Sequence, residues 1–260
     1  SSDLIMFRVI IGIMILASHL AVGQSFGQNK VQYRNFNWSF ITTPHFDIYY
    51  YGDGIDLAQF TAEKGEEAYE QISKHLRWTL RKRVPIIIYH SHNDFQQTNV
   101  ILPYMQEGIG GVTELFKNRV VIPFEGDYYQ FRHVIHHELV HAVINDMIYG
   151  SAQNVYSGRV KLRVPLWANE GLAEYLSMNW DTQADMILRD LAVHEEMPTI
   201  EQLESFLAYK GGQSVWRFIA EKYGREKIGE VFTAMKFTQS AERSEERRVG
   251  KECKSRWSPS

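Results

Sequence analysis

Four histidines and a glutamate lie in a helical pattern between Tyr128 and Tyr149 whose other face is apolar. Residues 133–141 read His-Val-Ile-His-His-Glu-Leu-Val-His, and valine, isoleucine and leucine occupy the remaining face of the predicted helix. A helix with so apolar a face is expected to be buried, and burying ionisable side chains costs free energy unless a partner compensates them. The pattern therefore predicts a central helix that carries a polar site.

The spacing H-E-x-x-H occurs within that helix. Four residues advance an α-helix by about 400°, so His137 and His141 stand one above the other on one face. Two imidazoles at this spacing can ligate one Zn²⁺ ion, and Glu138 beside them can take a proton from water. His133 and His136 fall outside the spacing, and we expect them to serve packing in the core or at the surface.

The cysteine content limits which metal sites this chain can form. Cys253 is the single cysteine among 260 residues, which excludes a disulfide framework, a multi-cysteine zinc finger and an iron–sulfur cluster. A bound metal must therefore be held by histidines and carboxylates. The formal net charge of −3 argues against a strongly basic nucleic-acid binder, and the chain is long enough to bury a core without disulfides.

Residues 1–23 have the layout of a secretory signal peptide, with an upstream extension before Met6. A basic start precedes the apolar run Val9–Ala17, and the small residues of Ala21-Val-Gly23 precede a cut before Gln24. We expect an exported, periplasmic or extracellular protein without a stable transmembrane anchor after cleavage, because a spanning helix needs about 20 apolar residues. An uncleaved, membrane-associated anchor or a buried strand is the alternative.

Residues 240–260 are rich in charge and contain no leucine, isoleucine or phenylalanine. Such a segment cannot contribute much to a core, so we expect it to be disordered or non-native. From about Arg243 it resembles translated adaptor sequence, which would place the end of the native part near Gln239; a natural charged tail is the alternative. The predicted working domain, residues 24–239, is acidic and free of cysteine.

Strand patterns gather in the first half of this domain and helical patterns in the second. Aromatic and β-branched runs predict two strands and then a strand pair, with one helix between the first two strands. This order predicts an α+β fold in which a mixed sheet packs on a mostly helical half. The predicted strands lie at 45–51, 84–90 and within 108–124, and the predicted helices at 56–80, 128–149, 166–178, 182–194, 199–208 and 212–235.

A catalytic zinc site needs a third protein ligand, and no third histidine follows at H-x-x-G-x-x-H spacing. The best candidate is Glu170, in the early turns of a helix that starts after Pro165. Glu174 lies one turn later on the same face, where it can accept a hydrogen bond from a ligating histidine. Two solvent-facing glutamates on an amphipathic helix are the alternative.

These motifs together resemble the gluzincin zinc metallopeptidases, the clan of thermolysin and aminopeptidase N. The strongest similarity is to bacterial peptidase MA-like domains of the cell envelope, over roughly residues 30–235. Those domains combine H-F-x-I-Y-Y, H-E-L-x-H-A and P-L-W-x-x-E-G-x-A-E-Y, which correspond here to 45–50, 137–142 and 165–175. The resemblance implies a zincin-like fold with the H-E-x-x-H helix between its halves. Some of these domains are followed by a C-terminal β-propeller, which is absent from this chain, and whether the native protein has one stays open.

The resemblance assigns roles to further residues. In gluzincins the glutamate of N-E-G is the third zinc ligand, here Glu170, and the acidic residue one turn later is its supporting partner, here Glu174. Tyr209 is similar to the tyrosine of Y-x-K-G-A that donates to the oxyanion, although the match departs by one residue and a buried packing role is the alternative. Gly111 and Val112 correspond to a substrate-binding strand, without the Met-Glu-Asn pattern of aminopeptidases.

The resulting hypothesis is a zinc metallopeptidase that hydrolyses peptides or proteins. One Zn²⁺ on His137, His141 and Glu170 would lower the pKa of water, and Glu138 would act as the general base. A catalytically silent scaffold module of a cell-envelope assembly and a zinc hydrolase with non-peptide substrates are the alternatives. The acidic domain disfavours nucleic-acid binding. Cleavage specificity, endo- or exopeptidase action and oligomeric state stay open.

Overall fold

The computed structural model describes residues 33–100, 109–150 and 164–238. The predicted signal peptide, residues 1–23, and the charged tail, residues 240–260, lie outside the described residues. The predicted α+β class is confirmed, with a five-stranded mixed sheet followed by a mostly helical half. The strands are β1 (Trp38–Thr42), β2 (Phe46–Tyr51), β3 (Val84–Tyr89), β4 (Val112–Glu114) and β5 (Arg119–Pro123). The helices are α1 (Ile55–Leu76), α2 (His92–Phe95), α3 (Tyr128–Tyr149), α4 (Leu166–Met178), α5 (Thr182–Val193), α6 (Ser205–Tyr223) and α7 (Lys227–Thr238).

The sheet has the order β1-β2-β3-β5-β4, with a parallel centre and antiparallel edges. Because side chains alternate across a strand, one face of the central strands is continuous with the core. Ile48, Ile86 and Val120 on that face are fully buried against the helices. The strand β4 forms one edge of the sheet and pairs in register with β5, Thr113 opposite Val120. This edge lies next to α3.

The helix α3 lies at the centre of the domain and coincides with the predicted helix 128–149. It begins after Asp127, whose side chain accepts a hydrogen bond from the backbone N–H of Tyr129, and it ends at Gly150 with a positive φ of 68°. It packs against α1 and α4 and also against the edge of the sheet formed by β4 and β5. Among the described helices, none combines the length and apolarity that crossing a bilayer requires.

The helix α1 is shorter than predicted, since it ends at Leu76 rather than near Leu80. Arg77 adopts the left-handed conformation with a φ of 51°, which ends the helix. The backbone N–H of Leu80 donates to the hydroxyl of Tyr69 at 3.0 Å instead of continuing the helical ladder. Leu80 still packs against the core, so its apolar character reflects burial and not helix. The strand β1 and the short helix α2 were not predicted.

The predicted break between helices 199–208 and 212–235 is wrong. A 3₁₀ turn over Ile200–Gln202 precedes α6, which runs without interruption through Gly211 and Gly212. The break occurs instead at Gly224, where φ is 97°. Gly212 serves helix packing: a Cβ atom there would lie 2.1 Å from the carbonyl oxygen of Trp167 in α4. The two helices therefore touch backbone to backbone.

Candidate metal centre

Three ligand atoms converge between α3 and α4. The Nε2 atoms of His137 and His141 lie 3.2 Å apart. Oε2 of Glu170 lies 3.4 Å from the first of these nitrogens and 3.2 Å from the second. The helical spacing brings the two rings together on α3, and the packing of α4 against α3 supplies the carboxylate. The three predicted ligands are therefore adjacent in the structure.

The geometry of these atoms fits a tetrahedral metal site. Ligands at about 2.0–2.1 Å from a tetrahedral Zn²⁺ ion are separated from one another by roughly 3.3–3.4 Å. The three measured separations of 3.2–3.4 Å fall close to that value. Two imidazoles and one carboxylate are also the donor set of a catalytic zinc site, which leaves a fourth position open. The residues present can therefore hold zinc.

Glu174 supports the site from the opposite side of the His137 ring. Its Oε1 lies 3.1 Å from Nδ1 of His137, so the carboxylate can hold the ring in the tautomer that directs Nε2 toward the metal. Its Oε2 accepts a hydrogen bond of 2.8 Å from Nζ of Lys210, which is itself buried and donates also to Asp181 at 3.0 Å. Lys210 thus compensates two carboxylates in the interior.

A second group of donor atoms consists of His133, His137 and Glu174. Nε2 of His133 lies 3.6 Å from Oε1 of Glu174. The ammonium group of Lys210 already binds the same carboxylate, and this positive charge opposes a cation there. We therefore interpret this group as the support of the metal site.

His136 is buried on α3, and burial lowers its pKa to about 4, in keeping with the predicted packing role.

The carboxylates and imidazoles of the centre shift one another's pKa values. Burial alone would raise the pKa of Glu170, but hydrogen bonds with His137 and His141 overcome burial and hold this pKa below its usual range. Burial would likewise lower the pKa of His137, whereas the carboxylates of Glu170 and Glu174 raise it. These contacts therefore favour ionised carboxylates and a doubly protonated His137 ring, and metal binding at the same atoms would release a proton.

Glu138 is buried, and its carboxylate lies on the wall of the cleft beside the ligands. Its Oε2 accepts a hydrogen bond of 2.6 Å from the hydroxyl of Thr113 in β4. Glu138 is thus adjacent to the metal ligands without joining their cluster. This is the placement expected of a base that does not ligate.

Tyr209 lies at the start of α6 and lines the same cleft. Its ring is nearly parallel to that of His137, at a centroid distance of 6.1 Å. Burial, the charge of Glu170 and a hydrogen bond to that carboxylate raise the pKa of the Tyr209 hydroxyl, which therefore stays protonated. The Tyr209 side chain therefore lies on the wall of the cleft, beside the three candidate ligands.

Gly111 and Val112 lie on the other wall of the cleft, which encloses about 850 Å³. Gly111, directly before β4, faces α3, whereas Val112 packs against a small apolar cluster on the outer face of the sheet. A Cβ atom at Gly111 would lie 2.9 Å from Cγ of Glu138. A side chain at residue 111 would therefore displace Glu138 as well as narrow the cleft.

Thr113 and Lys210 contact the key carboxylates but were not among the predicted site residues. Both contacts join positions far apart in the sequence, so no local spacing marks them. A signal was available for Thr113, because it lies two residues after Gly111 and therefore on the same face of the strand. For Lys210 the available signal was its position directly after Tyr209.

A family model described as the Peptidase MA superfamily matches residues 65–247. The match includes every residue of the metal centre and both walls of the cleft. A search of curated proteins and a search of solved structures each returned no significant match. Since the family match covers more than half of the sequence, this chain belongs to the Peptidase MA superfamily.

Proposed function

We propose that this protein is a zinc-dependent metallopeptidase. The observation that carries the proposal is the convergence of Nε2 of His137, Nε2 of His141 and Oε2 of Glu170 at tetrahedral spacing. A base at Glu138 and a donor at Tyr209 border the same cleft. Membership in the superfamily supports the same reaction class.

A zinc ion held by the three ligands would supply Lewis-acid chemistry, polarising a carbonyl group and lowering the pKa of water. Glu138 takes the proton of the attacking water and later delivers it to the nitrogen of the leaving amine. Tyr209 donates its hydroxyl proton in a hydrogen bond to the oxygen that becomes negative in the transition state. Glu174 holds the His137 ring in place throughout.

The walls of the cleft favour an extended polypeptide as substrate. β4 pairs only with β5 among the described strands, and Gly111, Val112 and Thr113 line the cleft. An extended peptide can add to such an edge through main-chain hydrogen bonds. Gly111 and Val112 would then bind the substrate backbone close to the metal centre.

The test is a peptide-library digest by the zinc-loaded full chain, with Glu138→Gln as the matched variant. The amide is nearly isosteric with the carboxylate but cannot accept the proton, so we expect zinc content to be unchanged and kcat to fall by at least about 100-fold. Metal analysis and the cleavage rate measure the two effects. A Glu138→Gln variant as active as wild type would contradict the mechanism.

The same experiment distinguishes the alternative functions. A wild-type protein that binds zinc stoichiometrically but cleaves no peptide would favour a scaffold module of the cell envelope. Cleavage of ester or other non-peptide substrates alone would favour a different zinc hydrolase. Loss of cleavage on chelation and its return with zinc would support the metallopeptidase.

We also propose that the protein is exported through the signal peptide of residues 1–23. The support is the basic start, the apolar run and the small residues before Gln24. N-terminal sequencing of protein recovered from a bacterial periplasm or culture medium should begin at Gln24. Protein that stays in the cytosol with an intact N-terminus would contradict export.

A further inference from the structure

The edge strand β4 contacts α3 at the residue that serves as base. Oγ1 of Thr113 lies 2.6 Å from Oε2 of Glu138 and 3.0 Å from the backbone oxygen of the same residue. The hydroxyl has a single proton and can donate it to only one of the two oxygens. A separation of 2.6 Å is typical of a hydrogen bond from a hydroxyl to a carboxylate, whose charge strengthens the bond. Thr113 therefore donates to the side chain of Glu138.

This hydrogen bond distinguishes the two oxygens of the Glu138 carboxylate. Oε2 is held by Thr113, whereas no hydrogen bond from the described residues reaches Oε1. Gly111 leaves room for this arrangement, because a Cβ atom there would lie 3.1 Å from Oε1 and 2.9 Å from Cγ of Glu138. Together Thr113 in β4 and Gly111 directly before this strand select one orientation of the carboxylate.

The strand that supplies the hydroxyl is itself fixed to α3. Nδ2 of Asn118, in the turn between β4 and β5, donates to the backbone oxygen of Ala142 at 2.9 Å. Glu114 at the end of β4 accepts hydrogen bonds from Nε of Arg119 and from backbone N–H groups of the turn. The hairpin thus contacts α3 at two points about one helical turn apart, at Glu138 and at Ala142.

We propose that Thr113 is a positioning residue that orients the general base. By holding Oε2, its hydroxyl turns Oε1 toward the cleft, where this oxygen takes the proton of the attacking water. The inference rests on the proposed peptidase function and adds to it a residue outside the H-E-x-x-H and N-E-G motifs. A purely structural role would only join the strand to the helix.

The test compares Thr113→Val, which keeps the shape but lacks the hydroxyl, with Thr113→Ser, which keeps the hydroxyl. We expect Thr113→Val to lower kcat about 10- to 100-fold, because a hydrogen bond to a charged group is lost, and to leave KM and zinc content within twofold. Thr113→Ser should restore most of the turnover. The matched control is Thr61→Val, which removes a buried hydroxyl that is bonded to the backbone of Leu57 in α1.

Several outcomes would overturn the proposal. Turnover of Thr113→Val equal to wild type would do so, as would a loss of the same size in Thr113→Ser or in Thr61→Val. A loss confined to KM would make Thr113 a substrate contact. A loss explained by lower zinc content would make it a structural support.

A second measurement separates this proposal from the proposed function. Crystal structures of the zinc-loaded wild type and both Thr113 variants show the orientation of the Glu138 carboxylate whether or not a peptide is cleaved. A carboxylate that turns away in Thr113→Val and keeps its place in Thr113→Ser supports the positioning role. The same orientation in all three proteins contradicts it, even if the wild type is an active peptidase.

Discussion

Tyr209 can contribute to the metal centre in two ways: its hydroxyl can donate a hydrogen bond, and its ring can pack against His137. Burial and the charge of Glu170 raise the pKa of the hydroxyl, and the ring lies nearly parallel to that of His137. Tyr209→Phe keeps the ring and removes only the donor. If the hydroxyl stabilises the oxyanion, kcat should fall about 100- to 1,000-fold with unchanged zinc content. Steady-state kinetics and metal analysis measure both, and Tyr129→Phe, at an exposed tyrosine outside the cleft, is the control. Equal activity of Tyr209→Phe and wild type would assign Tyr209 to packing.

At the scale of single residues, the sequence predicted contacts between residues that are close together in the chain. His137, Glu138 and His141 are joined by helical spacing, and the structure brings the two predicted imidazoles together. Glu170 was predicted because a catalytic zinc needs a third ligand and no third histidine follows at the right spacing; the family resemblance then assigned it the same role. Thr113 and Glu138 are 25 residues apart in the sequence. Their contact depends on how β4 is placed along α3, and the residue pattern of a single strand does not reveal that placement.

At the scale of elements, the helical half was divided at the wrong place. The prediction left a gap at residues 209–211 between two helices, although glycine, a poor helix former, continues α6 at Gly211 and Gly212. The structure uses Gly212 with Gly171 to bring α6 onto α4, at a distance that admits no side chain. By contrast, α3 and α4 were predicted with the observed bounds, because their apolar periodicity and end signals agree.

Gly212→Ala tests this close approach. The added methyl group would meet the backbone of Trp167, so the helices must separate, at a cost of about 1–3 kcal/mol or more. We expect Tm to fall by several degrees and zinc affinity to weaken as Glu170 moves. Gly65→Ala in α1 is the matched control, because the nearest atom to its Cβ is a ring carbon of Phe46 at an ordinary 3.5 Å. This control should leave Tm unchanged or raise it; equal losses in both variants would contradict the close contact.

At the scale of the whole molecule, metal binding should stabilise the fold. A ligand that binds only the folded state adds about 2.7 kcal/mol at a free concentration of 100 times its Kd. We therefore expect a chelator to lower Tm by at least several degrees in wild type and in Glu138→Gln. Differential scanning calorimetry with and without chelator measures the effect. His141→Ala, which lacks a ligand, should start at the lower Tm and show little further change, whereas an equal chelator effect in this variant would place the metal elsewhere.

The positions of the ligands along the chain have a further consequence. His141 and Glu170 are 29 residues apart and belong to different helices, so an ion shared between them closes a loop of that length. A covalent cross-link across such a loop would stabilise the fold by roughly 3–4 kcal/mol, because it restricts the unfolded chain. The described domain contains no cysteine. Its cross-link would therefore respond to metal supply and acidity, and it would be indifferent to the thiol redox state of the compartment in which the chain folds.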